Sequence, residues 1–106
     1  MKFGLARDAI ERIQSVFNRY PTVEKVVIYG SRAKGNYRVG SDIDLTLMGD
    51  NLTDPMLSAI KSDLDELNTP YLFDISIFND VQSVDLKEHI ARAGQVFYEK
   101  SGDRSK

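Results

Sequence analysis

Asp42 and Asp44 stand two residues apart, and ten residues separate Asp42 from the Gly30-Ser31 pair before it. In an extended chain, side chains alternate between faces. Asp42 and Asp44 therefore share a face, about 7 Å apart along the backbone, while Ile43, Leu45 and Leu47 take the other. Two carboxylates that close repel unless a cation lies between them. Oxygen-only donors suit a hard ion, Mg²⁺ or Mn²⁺, held by one or two carboxylates together with substrate phosphates. Gly30-Ser31 provides the second half of such a site. It follows the apolar run Val26-Val27-Ile28-Tyr29, where a strand should end. Glycine lets the backbone approach an anion and turn its N–H groups toward it. Ser31 adds a hydroxyl donor, and a short helix starting there would present its positive end to the same anion.

The pattern is a metal–triphosphate clamp, and the other phosphate and metal motifs fit worse. A Walker A loop needs Lys-Ser/Thr after its second glycine, whereas Asn36-Tyr37 follows Gly35. The dinucleotide fingerprint Gly-x-Gly-x-x-Gly is absent, because Gly30, Gly35 and Gly40 are five residues apart. An EF-hand needs another oxygen ligand and a glycine beyond Asp44, where Leu45-Thr46 stand. Arg32, Lys34 and Arg38 make the loop positive where an anion would sit.

Gly30-Ser31 followed by Asp42-x-Asp44 resembles the signature of the DNA polymerase β-like nucleotidyltransferase superfamily. The fuller text, Gly-Ser-Arg-Ala-Lys-Gly through Gly-Ser-Asp-Ile-Asp-Leu, is similar to its smallest members, the minimal nucleotidyltransferase (MNT or MntA-type) domains. Such domains are about this long, so the resemblance covers nearly the whole chain. It implies an α/β (α+β) nucleotidyltransferase fold, with helices packed on a small mixed sheet. It also implies ATP as substrate, Mg²⁺ or Mn²⁺ as cofactor, and a third acidic residue on the next core strand. Asp42, Asp44 and Asp74 would then be the catalytic metal ligands, and Gly30, Ser31, Arg32 and Ser41 the nucleotide-binding set. Arg32 would neutralise the leaving pyrophosphate.

Length and composition set the frame for these residues. A chain of 106 residues, 42% hydrophobic and 28% charged, is one ordinary globular domain. Residues 1–100 are expected to form it, with 101–106 a frayed tail. There is no cysteine, so disulfides and thiolate metal sites are excluded. A net charge of −2 argues against general nucleic-acid binding. No apolar run approaches the ~20 residues of a membrane span. The opening Met1–Asp8 lacks the apolar core of a signal peptide, and a cytoplasmic location is expected.

The elements that must hold the clamp can be read from periodicity. Ala6, Ala9, Ile10, Ile13, Val16, Phe17 and Tyr20 recur at helical spacing, predicting a helix over 6–19 that Pro21 ends. Strands are expected at 24–29 and 43–48, the first covered on both faces. Asp54 as cap and Pro55 in the first turn start a second long helix, with Leu57, Ile60, Leu64 and Leu67 inward. A third strand spans 71–78, its apolar face Tyr71, Phe73, Ile75 and Ile77. Asp74 lies on its other face, and an ionised carboxylate there is costly unless paired or bound to metal. An edge-strand aspartate, or one bonded to a backbone turn, is the plainer alternative. Residues 84–93 read as a last helix capped by Gly94, and 95–98 as a closing strand.

Some residues have bland readings that compete with chemical ones. His89, the single histidine, is expected on the last helix far from the motif and reads as structural or exposed. Tyr29 reads as core. Tyr37 could stack on a base or pack locally, and Tyr98 could accept a nucleotide as a self-modification target.

Three functions compete. The first is transfer of a nucleoside monophosphate, AMP foremost, from an NTP to a hydroxyl. The chain has no room for the acceptor-binding domain of larger superfamily members, so the resemblance implies a partner: a HEPN-type toxin, modified on a tyrosine, with this protein as antitoxin. The second is a nucleotide-binding antitoxin that acts by contact alone, which three costly carboxylates argue against. The third is an antibiotic-type small-molecule transferase. A glycosyltransferase Asp-x-Asp leaves Gly30-Ser31 unexplained.

Overall fold

The computed structural model describes residues 2–36, 38, 40 and 42–100. Ser41, Tyr37 and the expected 101–106 tail lie outside the described residues. The chain runs α1 (Arg7–Asn18), β1 (Lys25–Tyr29), α2 (Ser31–Lys34), β2 (Ile43–Met48), α3 (Asp54–Asp65), β3 (Phe73–Ile77), a 3-10 turn (Phe78–Asp80), α4 (Val84–Ala93) and β4 (Gln95–Glu99).

The helices form where the apolar stripe and the caps agree. Ala9, Ile13, Val16 and Phe17 are the buried residues of α1, one face of a 3.6-residue period. The cap of α3 is Thr53, one residue earlier than the sequence suggests: its hydroxyl accepts from Met56 N at 3.3 Å. Asp54 is then the first helical residue, where its charge suits the N-terminal turn. Ser83 caps α4 in the same way, accepting from Leu86 N at 3.1 Å. Gly94 does end α4, but at φ −71° it is not left-handed. Glycine is needed there for space, since an added Cβ would lie 2.5 Å from both Ile90 O and Val27 Cγ1.

The four strands form one mixed sheet in the order β3-β2-β1-β4. β1 pairs antiparallel with β2 and β4, while β2 pairs parallel with β3. A parallel pair needs a crossover rather than a hairpin, and α3 supplies it. Strand alternation then sorts the side chains. Val26, Ile28, Ile43, Leu45, Leu47 and Ile75 enter one core with Ile13, Val16 and Phe17 of α1 and Ile60 and Leu64 of α3. Val27 and Tyr29 pack on the opposite face against Ile90 of α4, with Met48, Phe78 and Leu86 around them. All four residues from Val26 to Tyr29 are buried, as expected for a strand covered on both sides. Among the described residues, no helix is long and apolar enough to cross a membrane.

Candidate active site

The sheet register brings distant residues level. Tyr29 at the end of β1 lies opposite Asp44 on β2, so the next residue, Gly30, turns beside that carboxylate. Gly30 has φ 77° and ψ −155°, a conformation open essentially to glycine alone. A Cβ built on it would stand 2.4 Å from Asp44 Oδ2. The carboxylate therefore rests on the bare Cα of Gly30, and the turn continues into Ser31 and the single turn of α2. Gly35, at φ 87°, closes that turn, with Gly35 N donating to Ser31 O at 2.9 Å.

The parallel pairing places Asp74 of β3 directly level with Asp44, on an adjacent strand about 4.8 Å away. Asp42 precedes β2 and is exposed, as is Asp74, while Asp44 is half-buried. Burial pushes the Asp44 carboxyl above its ordinary range, and the charges of Asp74 and then Asp42 push it further. Asp44 thus lies within electrostatic reach of both other carboxylates. Among the described residues, however, no three acidic or imidazole groups are drawn together tightly enough to cage a metal by themselves. An all-oxygen, mutually repelling set over one open face fits a hard divalent cation that takes its remaining ligands from water and substrate phosphates.

The sign of the Asp44 shift gives a prediction for the metal-free protein. A carboxyl whose pKa is raised by folding favours the folded state below its unfolded value, and that contribution is lost as pH rises through the folded value. At neutral pH in EDTA, Asp44→Asn should therefore raise Tm, and the gain should vanish as the pH is lowered past about 4. Added Mg²⁺ should stabilise the wild type and not the variant. A variant less stable than wild type at pH 7 in EDTA would contradict this electrostatic picture.

Beyond the carboxylates lies a layer of hydroxyls that the sequence does not advertise. Thr46, fully buried, pairs with Ser76 one step along the β2–β3 register, and Ser76 Oγ donates to Thr46 Oγ1 at 3.1 Å. The Tyr29 phenol is raised by burial and by the charges of Asp74 and Asp44, partly offset by a hydrogen bond with Ser76. Tyr29 is core, as expected, yet its hydroxyl end belongs to the site. His89 is far from the motif only in sequence: its ring meets the edge of Tyr29 with centroids 6.3 Å apart. Strand parity could have shown that Tyr29 and the carboxylates share a face, but only the pairing register brings them together.

Arg32 has partners within the protein. It is only 4% exposed, its Nη1 donates to Phe3 O at 2.9 Å, and its guanidinium lies 5.4 Å from the centroid of the Tyr71 ring. That is an interior anchoring position rather than a free arm. Lys34 and Arg38 are exposed. Ser41 and Tyr37 lie outside the described residues. A hollow of about 630 Å³, lined by Thr22, Glu24, Lys25, Met48 and Glu99 among others, is at the opposite end of β1 and β2 from Asp44.

The comparisons with known proteins agree with this fold. The profile of the family described as "Polymerase beta, Nucleotidyltransferase" matches residues 11–103. No curated protein sequence matches the chain. Among solved structures, a chain from a toxin–antitoxin complex crystallised with AMP-PNP superposes with a TM-score of 0.68 at 19% identity, covering 93% of this chain and 77% of that one. A chain of the tri-AMPylated Shewanella oneidensis HEPN toxin in complex with MNT antitoxin gives 0.65 at 14% identity, over 89% and 72%. A chain of the toxin–antitoxin MntA–HepT gives 0.65 at 14%, over 90% and 74%.

Proposed function

Since the chain belongs to the polymerase β nucleotidyltransferase family, we propose that it moves a nucleoside monophosphate, AMP foremost, from an NTP to a hydroxyl on a HEPN-type toxin, and so acts as antitoxin. The observation that carries this reading is the contact between Gly30 and the Asp44 carboxylate. The turn suited to phosphates and the group suited to metal form a single surface. The solved complexes of toxin and antitoxin, one with AMP-PNP and one with an AMPylated toxin, support both the nucleotide and the partner.

In this mechanism Gly30 and Ser31 hold the β- and γ-phosphates with backbone N–H groups and the Ser31 hydroxyl. Ser41 adds a hydroxyl by resemblance alone. Asp42 and Asp44 would hold Mg²⁺ or Mn²⁺, and Asp74, level with Asp44, would complete the set on the acceptor side. Divalent metal bound there supplies charge to the attacking and leaving oxygens of an in-line displacement. The acceptor oxygen bonds to the α-phosphorus, the bond to the bridging oxygen of the β-phosphate breaks, and pyrophosphate leaves. The acceptor proton passes toward Asp74. Positioning and electrostatics carry most of the rate. Arg32 would act on the leaving pyrophosphate through its charge, from an interior position beside Phe3 O and Tyr71. An NTP-consuming reaction of this kind belongs in the cytoplasm.

The test uses ATP labelled at the α- or γ-phosphate, Mg²⁺, the host lysate, and wild-type protein beside the Asp42→Asn/Asp44→Asn form. Label from the α position alone, on one protein band and only with wild type, establishes nucleotidyl transfer and reveals the acceptor. Label from the γ position means kinase chemistry and overturns the proposal. No transfer, with partner capture equal in both forms, leaves neutralisation by contact.

A further inference from the structure

We propose that Arg32 is a positioning residue that ties α2 to the Lys2–Leu5 turn, so that the first residues of the chain help to set the Gly30-Ser31 segment. The inference rests on the reading of that segment as the phosphate seat. A four-residue helix such as α2 has no stability of its own, because helix nucleation costs more than one turn returns. Its position must come from tertiary ties, and the structure supplies them. Gln95 Nε2 donates to Ala33 O at 2.8 Å, and Arg32 Nη1 donates to Phe3 O at 2.9 Å.

The other end of the Arg32 tie is built with some strain. Lys2 and Leu5 exchange backbone hydrogen bonds of 3.2 and 2.9 Å around Phe3 and Gly4, whose φ angles are 59° and 72°. A positive φ at an aromatic residue is disfavoured and persists only where its surroundings enforce it. Here Leu5 is fully buried, the Phe3 ring lies 6.1 Å from that of Phe97, and the Phe3 carbonyl is taken by Arg32. The guanidinium also stacks over Tyr71, just ahead of the strand that carries Asp74. Arginine suits this position and lysine does not: only a planar fork can donate to the carbonyl while stacking on the ring.

Two readouts separate positioning from direct contact with nucleotide. The first needs no ligand: hydrogen exchange of the Lys34 and Gly35 amides, which donate to Gly30 O and Ser31 O at 3.1 and 2.9 Å. The second is the affinity for a non-hydrolysable ATP analogue with Mg²⁺. Removing residues 1–4, or Arg32→Ala or Arg32→Lys, should speed exchange at both amides about tenfold, the scale of one charge-assisted hydrogen bond. Amides of Val27 and Leu45 should stay protected. Analogue affinity should fall by a similar factor, and in the truncated protein Arg32→Ala should add no more than about threefold, the share of the Tyr71 contact that truncation leaves in place.

Unchanged exchange after truncation overturns the proposal. So does Arg32→Ala weakening the analogue equally in truncated and full-length protein, which would place Arg32 on the nucleotide itself. Amides loosened by truncation, in a protein whose wild type binds no analogue, would keep the tie and remove the nucleotide reading. If truncation prevents folding, Tyr71→Leu makes the same comparison: about threefold faster exchange at the two amides supports the tie, and none overturns it.

Discussion

The Asp42→Asn/Asp44→Asn protein is expected to fold normally and to lose nucleotidyl transfer by on the order of 10³-fold or more. Asparagine keeps the shape of each side chain and removes the charge on which cation binding depends. Asp42 is exposed and Asp44 half-buried, so neither replacement opens a cavity. Burial and the neighbouring carboxylates work against the charged form of Asp44, so its neutralisation relieves repulsion rather than breaking a pair. Circular dichroism and urea unfolding report the fold, and α-labelled ATP reports transfer. Transfer within tenfold of wild type would remove these carboxylates from the mechanism. Asp74→Asn should act differently, lowering kcat with nucleotide affinity largely kept, because the proposed mechanism puts Asp74 on the acceptor side.

The second large effect is expected at Gly30→Ala. A methyl group there would meet Asp44 Oδ2 at 2.4 Å, on a backbone with φ 77°. Relieving the clash means moving either the turn or the carboxylate, and each belongs to the proposed site. We expect transfer to fall at least ~100-fold, with a stability loss of about 1–3 kcal/mol from the disallowed backbone. Gly35 and Gly40 are the built-in comparison. Their φ angles are 87° and 88°, yet an added Cβ at either meets nothing within 4 Å. Gly35→Ala should cost about 1–2 kcal/mol of stability and leave transfer nearly intact. If Gly30→Ala and Gly35→Ala behave alike, the contact with Asp44 has no role in the reaction.

Residue types and spacing carried much of this fold on their own. The strand at 43–48 and the helix at 84–93 were legible to the residue, because alternation and helical periodicity there are uninterrupted and the flanking residues break them. The mixed sheet followed from the family resemblance. Other features depend on pairing between distant segments, which a linear pattern does not encode. That Asp74 stands level with Asp44 is set by the β2–β3 register, and that His89 lies against Tyr29 is set by the packing of α4. The burial of Arg32 was not legible for a related reason. A cation in a glycine-rich loop reads as solvated, and its tie to the Lys2–Leu5 turn, which has no motif of its own, joins segments far apart in sequence. The α3 cap was displaced by one residue because Thr53 and Asp54 are both good caps, and the structure uses the hydroxyl.

The order β3-β2-β1-β4 also has a consequence for how the site comes apart. Gly30, Ser31, Asp42 and Asp44 belong to one short antiparallel hairpin, β1 to β2, at the centre of the sheet. Asp74 arrives on an outer strand, held to the sheet along one side only and delivered by a long crossover. Peripheral strands open locally at lower free energy than central ones. On warming or in mild denaturant, the proposed acceptor carboxylate should therefore detach while the hairpin is still folded, and the protein would pass through a form that grips nucleotide without transferring it.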